Sequence, residues 1–366
     1  MSKFRSIAIH LPQFHPIPDN DRWWGKGFTE WKNVVKAKPL FEGHYQPHLP
    51  ADLGYYDLRL PDARQAQADL ARQFGIHGFC YYHYWFNGKR LLERPVEEIL
   101  QSGSPDFPFM LCWANENWTR RWDGKDQEVL LAQKHSEEDD VAHLEYLIQY
   151  FNDPRYIRVN GKPVFVLYKP FLLPDATETA LRWKRVAAKH GIELYLCYMV
   201  SYYYDNKLKF IDGFDAAINF EPFGIQRDDI FTEIQQRNKN SFTILEKAKS
   251  KLGLNVKRKY SILPYRCMYE QLRSVHEFKY KLFPSIVPGW DNTARRKDNP
   301  SLILGDSTPE HFQKWLEIIM ADFTPYSDEE NFIFINAWNE WAEGNHLEPC
   351  ERWGCQYLEV VKKMFI

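Results

Sequence analysis

Eight short apolar runs recur along the chain, at 6–12, 78–85, 108–114, 163–168, 193–200, 215–220, 284–290 and 331–338. Each is of strand length and rich in Ile, Val, Phe and Tyr. Most are apolar at successive positions rather than alternating, as strands buried on both faces of a parallel sheet must be. Helical patterns fall between them. Residues 61–74 place Ala63, Ala66, Leu70, Ala71 and Phe74 on one face, and Gly75 follows as a stop. Residues 136–151 open on Ser136 as a cap and on acids at 137–140, which complement the helix dipole; Val141, Leu144, Leu147, Ile148 and Phe151 form the stripe. Asp175 and Glu178 stand at capping-box spacing at the head of 175–190, with Gly191 after it. Thr308 caps 308–321, where Pro309 takes the first position and Phe312, Trp315, Leu316 and Ile319 face inward.

Strands interleaved with helices in this order predict an α/β fold, a single (β/α)8 TIM barrel over residues 1–366. A doubly wound open sheet is the alternative, but no Gly-rich phosphate loop of GxGxxG or GxxxxGK[ST] type follows any strand. Residues 13–60 are long and turn-rich. In a barrel they form an elaborated first βα loop at the C-terminal, catalytic face.

Charge changes the picture little: 47 Lys and Arg against 49 Asp and Glu leave a net of −2, which argues against nucleic acid as a partner. Aromatic residues change it more. They make up 16% of the chain, and many Trp and Tyr stand beside polar residues, a pairing that suits the flat apolar faces of sugars. The apolar stretch at 7–11 is too short for a signal peptide, and no run approaches the ~20 apolar residues of a membrane span. A cytoplasmic protein without a transmembrane segment is expected. Cys80, Cys112, Cys197, Cys267, Cys350 and Cys355 are scattered and read as reduced thiols; Cys350 and Cys355 lack the second pair that a zinc site needs. Residues 236–259 hold eight basic residues and one acid. They read as a solvated helical excursion between the sixth and seventh strands, or, more sharply, as a surface for weak contact with a membrane or an anionic glycan.

The chemistry concentrates where strands end. Asn336-Ala-Trp-Asn-Glu-Trp-Ala-Glu-Gly-Asn-His-Leu-Glu-Pro349 follows the last strand directly. Glu340 and Glu343 would lie roughly 10 Å apart in an extended chain, but about 5–6 Å apart at Cβ in a turn or helical segment. Two converging carboxylates are what glycosidic bond cleavage requires: one protonated to serve the leaving oxygen, the other charged. Strand three ends Cys112-Trp-Ala-Asn-Glu-Asn-Trp118, offering Trp113, Asn115 and Glu116. Glu116 would otherwise pair with Arg120 or Arg121. Strand two ends with Tyr82, His83, Tyr84, Trp85 and Asn87 as pocket candidates. Strand six ends at Glu221, and strand seven at Trp290, Asp291 and Asn292. Trp338, Asn339 and His346 complete the candidate substrate-binding set. His10, His15 and Glu30 would suggest zinc, but no HxxxH helix supports it, so no metal and no cofactor are expected. No GxSxG elbow occurs.

Leu11-Pro-Gln-Phe-His-Pro16, Trp23-Trp-Gly-Lys-Gly-Phe-Thr-Glu-Trp31, Gly43-His-Tyr-Gln-Pro47, Tyr82-His-Tyr-Trp-Phe86, Trp113-Ala-Asn-Glu-Asn-Trp118 and Trp338-Asn-Glu-Trp-Ala-Glu-Gly344 together resemble the WbsX-like family. Its members sit in bacterial polysaccharide loci and are often labelled glycosyltransferases. That family is similar to glycoside hydrolase family 99, the endo-α-mannosidases and endo-α-mannanases, which are (β/α)8 barrels. The resemblance implies that Glu340 is a base engaging the sugar 2-hydroxyl and Glu343 the general acid/base, in a retaining reaction through a 1,2-anhydro sugar. The chain reads Gly344-Asn-His-Leu-Glu-Pro349 where family 99 has Gly-Thr-Gln-Ile-Glu-Pro.

The expected function is therefore a retaining glycoside hydrolase, endo-acting on an α-mannoside-like linkage of an oligo- or polysaccharide. A glycosyltransferase or transglycosylase of O-antigen or capsule biosynthesis is the alternative. It would need a diphosphate site, and the Asp19-Asn-Asp21 triplet reads as an ordinary turn in a Pro-rich loop. A non-catalytic glycan-binding barrel is the third.

Overall fold

The structure is a computed structural model. It describes residues 3–120, 125–201, 210–224, 260–270, 272, 274–295 and 301–366. The basic stretch at 236–259 lies outside the described residues.

Eight parallel strands form a ring. They are β1 (Arg5–His10), β2 (Gly78–Phe86), β3 (Phe109–Trp113), β4 (Lys162–Leu167), β5 (Tyr195–Val200), β6 (Ala216–Asn219), β7 and β8 (Phe332–Ile335). Each pairs with the next in sequence, and β8 pairs with β1, with Ile7 opposite both Gly78 and Phe334. β7 is split by Pro284: Leu282–Phe283 pairs with β6 and Ser285–Ile286 with β8, so the ladder passes round the ring through two short pieces. Nearly every strand residue is buried, as the unbroken apolar runs require. The expected seventh run, 284–290, is shifted by the observed strand toward its N-terminal side. Lys279 and Lys281 hid its start, and Pro284, which has no N–H to give to a ladder, sits inside it rather than ahead of it.

The outer helices are α1 (Pro61–Gln73), α2 (Arg94–Ser102), α3 (Glu137–Phe151), α4 (Ala176–Lys189), α5 (Pro309–Asp322) and α6 (Gln356–Phe365). The three side-chain caps form as the sequence predicts. Ser136 accepts from Asp139 N at 3.1 Å, Asp175 from Glu178 N at 3.0 Å and Thr308 from His311 N at 3.3 Å. α2 and α6 carried no such cap and escaped the sequence reading. The core is unusually aromatic: Trp113, Trp183, Trp315, Trp338 and Trp341 are all fully buried. At ~25 cal/mol per Å² and 150–250 Å² for a large ring, each contributes roughly 4–6 kcal/mol of hydrophobic stabilisation. Cys80, Cys112, Cys197, Cys267 and Cys350 are buried free thiols, and Cys355 is half-buried and also free. Among the described residues, no helix is long and apolar enough to cross a membrane.

Candidate active site

The 336–349 motif folds as a tight hairpin beyond β8. Asn339 pairs with His346 and Glu340 with Asn345, and Trp341–Glu343 forms one 3-10 turn between them. The two glutamates are thus separated by a turn, not by extended chain. Gly344 closes the turn in the left-handed region at φ 57°, and an added Cβ there would meet Asp291 Cβ at 3.1 Å. The Asn336–Ala337 peptide is cis. The hairpin is bolted to its surroundings. The Asn339 side chain accepts from Leu11 N at 2.7 Å and donates to Leu11 O at 3.0 Å, fixing it to the end of β1. Asp291 N donates to Glu343 O at 2.6 Å, fixing it to the segment after β7. Beneath the turn, the buried Glu348 carboxylate accepts from Tyr56 Oη (2.8 Å), Trp341 Nε1 (2.6 Å) and Gln67 Nε2 (2.7 Å). Burial pushes its proton affinity up to about 7 against these three donors. His346 stacks on Trp341 at 3.7 Å.

Arg295 gathers the acids. Its Nη2 lies 2.7 Å from Glu340 Oε2, its Nη1 2.6 Å from Glu343 Oε1 and its Nε 2.6 Å from Glu30 Oε1. A buried guanidinium is tolerated only with such partners, and its own pKa is raised because the coulombic pull of the three carboxylates outweighs burial. Three carboxylates for one cation leave an excess of negative charge. Glu340 absorbs it: burial, with Glu343 and Glu30 adding to it and Arg295 opposing, pushes its pKa up to about 8. Glu30 is raised in the same way, by burial first.

These groups edge a cavity of about 510 Å³ at the C-terminal mouth of the barrel. Every strand delivers part of its wall: Leu11 and Gln13 after β1, Tyr82 and Tyr84 on β2, Glu116 after β3, Tyr168 and Lys169 after β4, Ser201 after β5, Phe220 and Phe223 after β6, Trp290, Asn292 and Arg295 after β7, and Asn336, Glu340 and Glu343 after β8. Tyr82 and Tyr84 are held neutral by burial. On the far wall Glu116 forms an ion pair with Lys169; Arg120 pairs with Glu128 at 2.9 Å, and Arg121 lies outside the described residues. Asn115 clamps the Lys169 backbone with two bonds of 2.8 Å, and so aims that lysine.

Of the residues singled out from sequence, Glu340, Glu343, Tyr82, Tyr84, Glu116, Trp290 and Asn292 meet around the cavity. Asn87 is exposed, and the others stand behind the cavity wall. Trp113 and Trp338 are packed in the core, and Trp113 Nε1 donates to Trp85 O at 3.1 Å. Trp85 donates to Asp139 at 2.9 Å and stacks on His143. His83 contacts His143 at 3.0 Å, and burial lowers its pKa to about 3. Glu221 accepts from Asn219 at 2.9 Å. Asp291 accepts from His44 at 2.7 Å and Gln46 at 2.8 Å; burial raises its pKa, but those bonds and Thr293 outweigh it and leave it lowered. Asn115, Asn339 and His346 hold backbone or hairpin as described. Arg295 and Lys169 were not among the expected binding residues, and Glu30 stood among the candidates only beside His10 and His15. Asp19 is tied to Lys89 at 2.6 Å and Arg22 at 3.2 Å on the short helix Pro18–Trp24. No group of three or more His, Cys, Asp or Glu among the described residues is placed to hold a metal ion.

A (β/α)8 ring with buried acids and aromatic rings lining a cavity at its C-terminal mouth defines the class, a barrel with its candidate site where barrel enzymes carry their chemistry. The comparisons make the class specific. The family described as "Glycosyltransferase WbsX" matches residues 6–361. Two curated relatives named "Uncharacterized protein WxcX", from two strains of Xanthomonas campestris pv. campestris, are 41% and 40% identical over 98% of the chain. The chain belongs to the WbsX family. It spans about half the length of the curated relatives it matches, 49% of each. Among solved structures, a "Glycoside hydrolase-like protein" superposes with a TM-score of 0.61 at 16% identity, covering 100% of this chain and 94% of that one. A GH99 endo-alpha-mannosidase from Bacteroides thetaiotaomicron gives 0.58 at 13% identity, covering 100% and 96%. These two likenesses show a shared fold.

Proposed function

We propose that the chain is a retaining, endo-acting glycosidase for an α-mannoside-like linkage in a bacterial polysaccharide, and that Glu340 and Glu343 carry the reaction. One observation carries this reading: both carboxylates sit on the same arginine at the mouth of the barrel, one of them with its pKa raised to about 8. A pair in that state holds one proton near neutral pH, which is what departure of a sugar oxygen and attack at the anomeric carbon jointly need. Tyr82, Trp290 and Phe223 offer flat apolar surface to a sugar ring, and the Glu116–Lys169 pair offers both an acceptor and a donor to its hydroxyls.

The roles within the pair are open to a clean measurement. The resemblance casts Glu343 as the acid. The deeper burial of Glu340 favours the proton on Glu340 in the free enzyme. An aryl glycoside with a good leaving group needs no acid, so only the variant of the acid (Glu340→Gln or Glu343→Gln) keeps its rate on that substrate.

The family description supports a second reading, transfer to a sugar hydroxyl rather than to water during O-antigen or capsule assembly. Cytoplasmic residence would favour it. The deciding experiment is a time course on the polysaccharide or lipid-linked glycan of the protein's own locus, without nucleotide sugar, comparing wild type with Glu343→Gln. Chain cleavage by wild type, reduced 10²–10⁴-fold in the variant, is expected of a group doing general acid–base work, with ~10²–10⁴-fold the usual scale. No cleavage, with transfer once a nucleotide sugar is added, overturns the hydrolase reading.

A further inference from the structure

Glu30 is the one carboxylate of the Arg295 cluster that does not border the cavity. It is fully buried, 0% exposed, and its Oε1 reaches Arg295 Nε at 2.6 Å from behind the wall. Its backbone is held as firmly as its side chain. Glu30 N donates to Gln13 O at 3.1 Å, and the next residue, Trp31, begins a short helix (Trp31–Val34) that packs on Trp341 with ring centres 5.6 Å apart. Trp341 belongs to the turn that joins Glu340 to Glu343. The acid is thus mounted on the same rigid block as the two carboxylates it does not touch. Arg295 meets each of the three with a different nitrogen, a planar fork with every arm occupied.

We propose that Glu30 is a positioning residue of the reaction, holding the Arg295 guanidinium against Glu340 and Glu343 and thereby setting the charge those two carboxylates share. This rests on the reading of Glu340 and Glu343 as the reacting pair. With two carboxylates, Arg295 would be shared by those two alone, and the buried Glu340 would hold its proton less tightly. The third takes a share of the guanidinium and adds a negative charge of its own. The consequence, added to burial, is a pair that holds its proton more tightly. Other groups near Glu340 do not supply this control. Tyr82 and Tyr84 from β2 stay neutral, Glu116 across the cavity is paired with Lys169, and Asp291 accepts from His44, Gln46 and Thr293. Below the turn, Glu348 is enclosed by its own three donors, and burial keeps the imidazole of His346 neutral. Among the described residues, Glu30 and Glu343 are the negative neighbours that raise the Glu340 pKa, and Glu343 is itself in the pair.

The test is a pH titration of the whole protein with ¹³C-carboxyl-labelled glutamate, the Glu340 signal being assigned by its loss in Glu340→Gln. In Glu30→Gln the Glu340 midpoint should fall by about 1 pH unit, since a like charge has been removed. Glu30→Asp, which keeps the charge, should leave it near the wild-type value. If Glu30→Gln does not fold, Glu30→Met removes the same charge without burying an amide that needs partners, and carries the same prediction. A folded neutral variant with an unmoved Glu340 midpoint overturns the proposal and leaves Glu30 as a structural tie. If the enzyme proves active on a glycan, the limb of the kcat/KM profile owned by Glu340 should move toward acid by the same amount, whichever role Glu340 plays. The titration needs no substrate. Failure to find any glycosidic activity therefore sinks the functional reading and leaves this measurement standing.

Discussion

At the scale of single residues, Arg295 is the most exacting position in the molecule. Its removal leaves three carboxylates facing one another in a buried space. Breaking a buried ion pair by deleting one partner typically costs about 3–5 kcal/mol. Arg295→Leu should show a loss of that order in urea unfolding at pH 8, and a smaller one at pH 5, because protonation removes the repulsion. An equal loss at both values would mean that the arginine matters for packing alone. Gly344 is exacting for a different reason. A side chain there meets both a left-handed backbone and Asp291. Gly344→Ala should destabilise by about 1–2 kcal/mol and displace Glu343, a loss of kcat that thermal unfolding and initial rates would register together.

At the scale of elements, Glu348 governs a whole hairpin. Glu348→Ala strands the Tyr56 hydroxyl, the Trp341 indole N–H and the Gln67 amide, and unmet buried donors cost about 1–3 kcal/mol each. A drop of about 3 kcal/mol in unfolding free energy is expected, with Glu348→Gln recovering part of it. Elements were also what the sequence disclosed best. The strands were legible because burial on both faces makes them continuously apolar, and α3, α4 and α5 because Ser136, Asp175 and Thr308 announce their starts. β7 was blurred because a proline sits in its middle. The site was half legible. Glu340 and Glu343 lie in one local motif at a strand end. Arg295 belongs to no motif, and its partners Glu340 and Glu30 are 45 and 265 positions away, a closeness only the folded ring creates. Nor does a Trp beside an Asn say which way it faces. Trp290 looks into the cavity, while Trp113 and Trp338, in equally polar company, fill the core.

At the scale of the whole molecule, the buried acids tie stability to pH. Glu340 has a folded pKa of about 8, raised above its ordinary value of 4.5. Its contribution is therefore complete below pH 4.5 and is lost as pH rises through 8. Wild type should lose more stability between pH 6 and pH 9 than Glu340→Gln, in which the titrating group is gone; parallel curves from calorimetry would contradict this. The split in β7 has a consequence of another kind. A ring of strands can come apart at any seam, and this one is sealed on both flanks of β7 by ladders of two residue pairs, against four between β1 and β2. Backbone amides there should exchange with deuterium before those of β1 to β4. Arg295 lies in the segment that leaves β7, just after the 3-10 turn Asn292–Ala294, so the first breath of the barrel would also disturb the charge cluster. Heat should then abolish the proposed activity some degrees before circular dichroism records the loss of the helices, making this charge cluster the fuse of the fold.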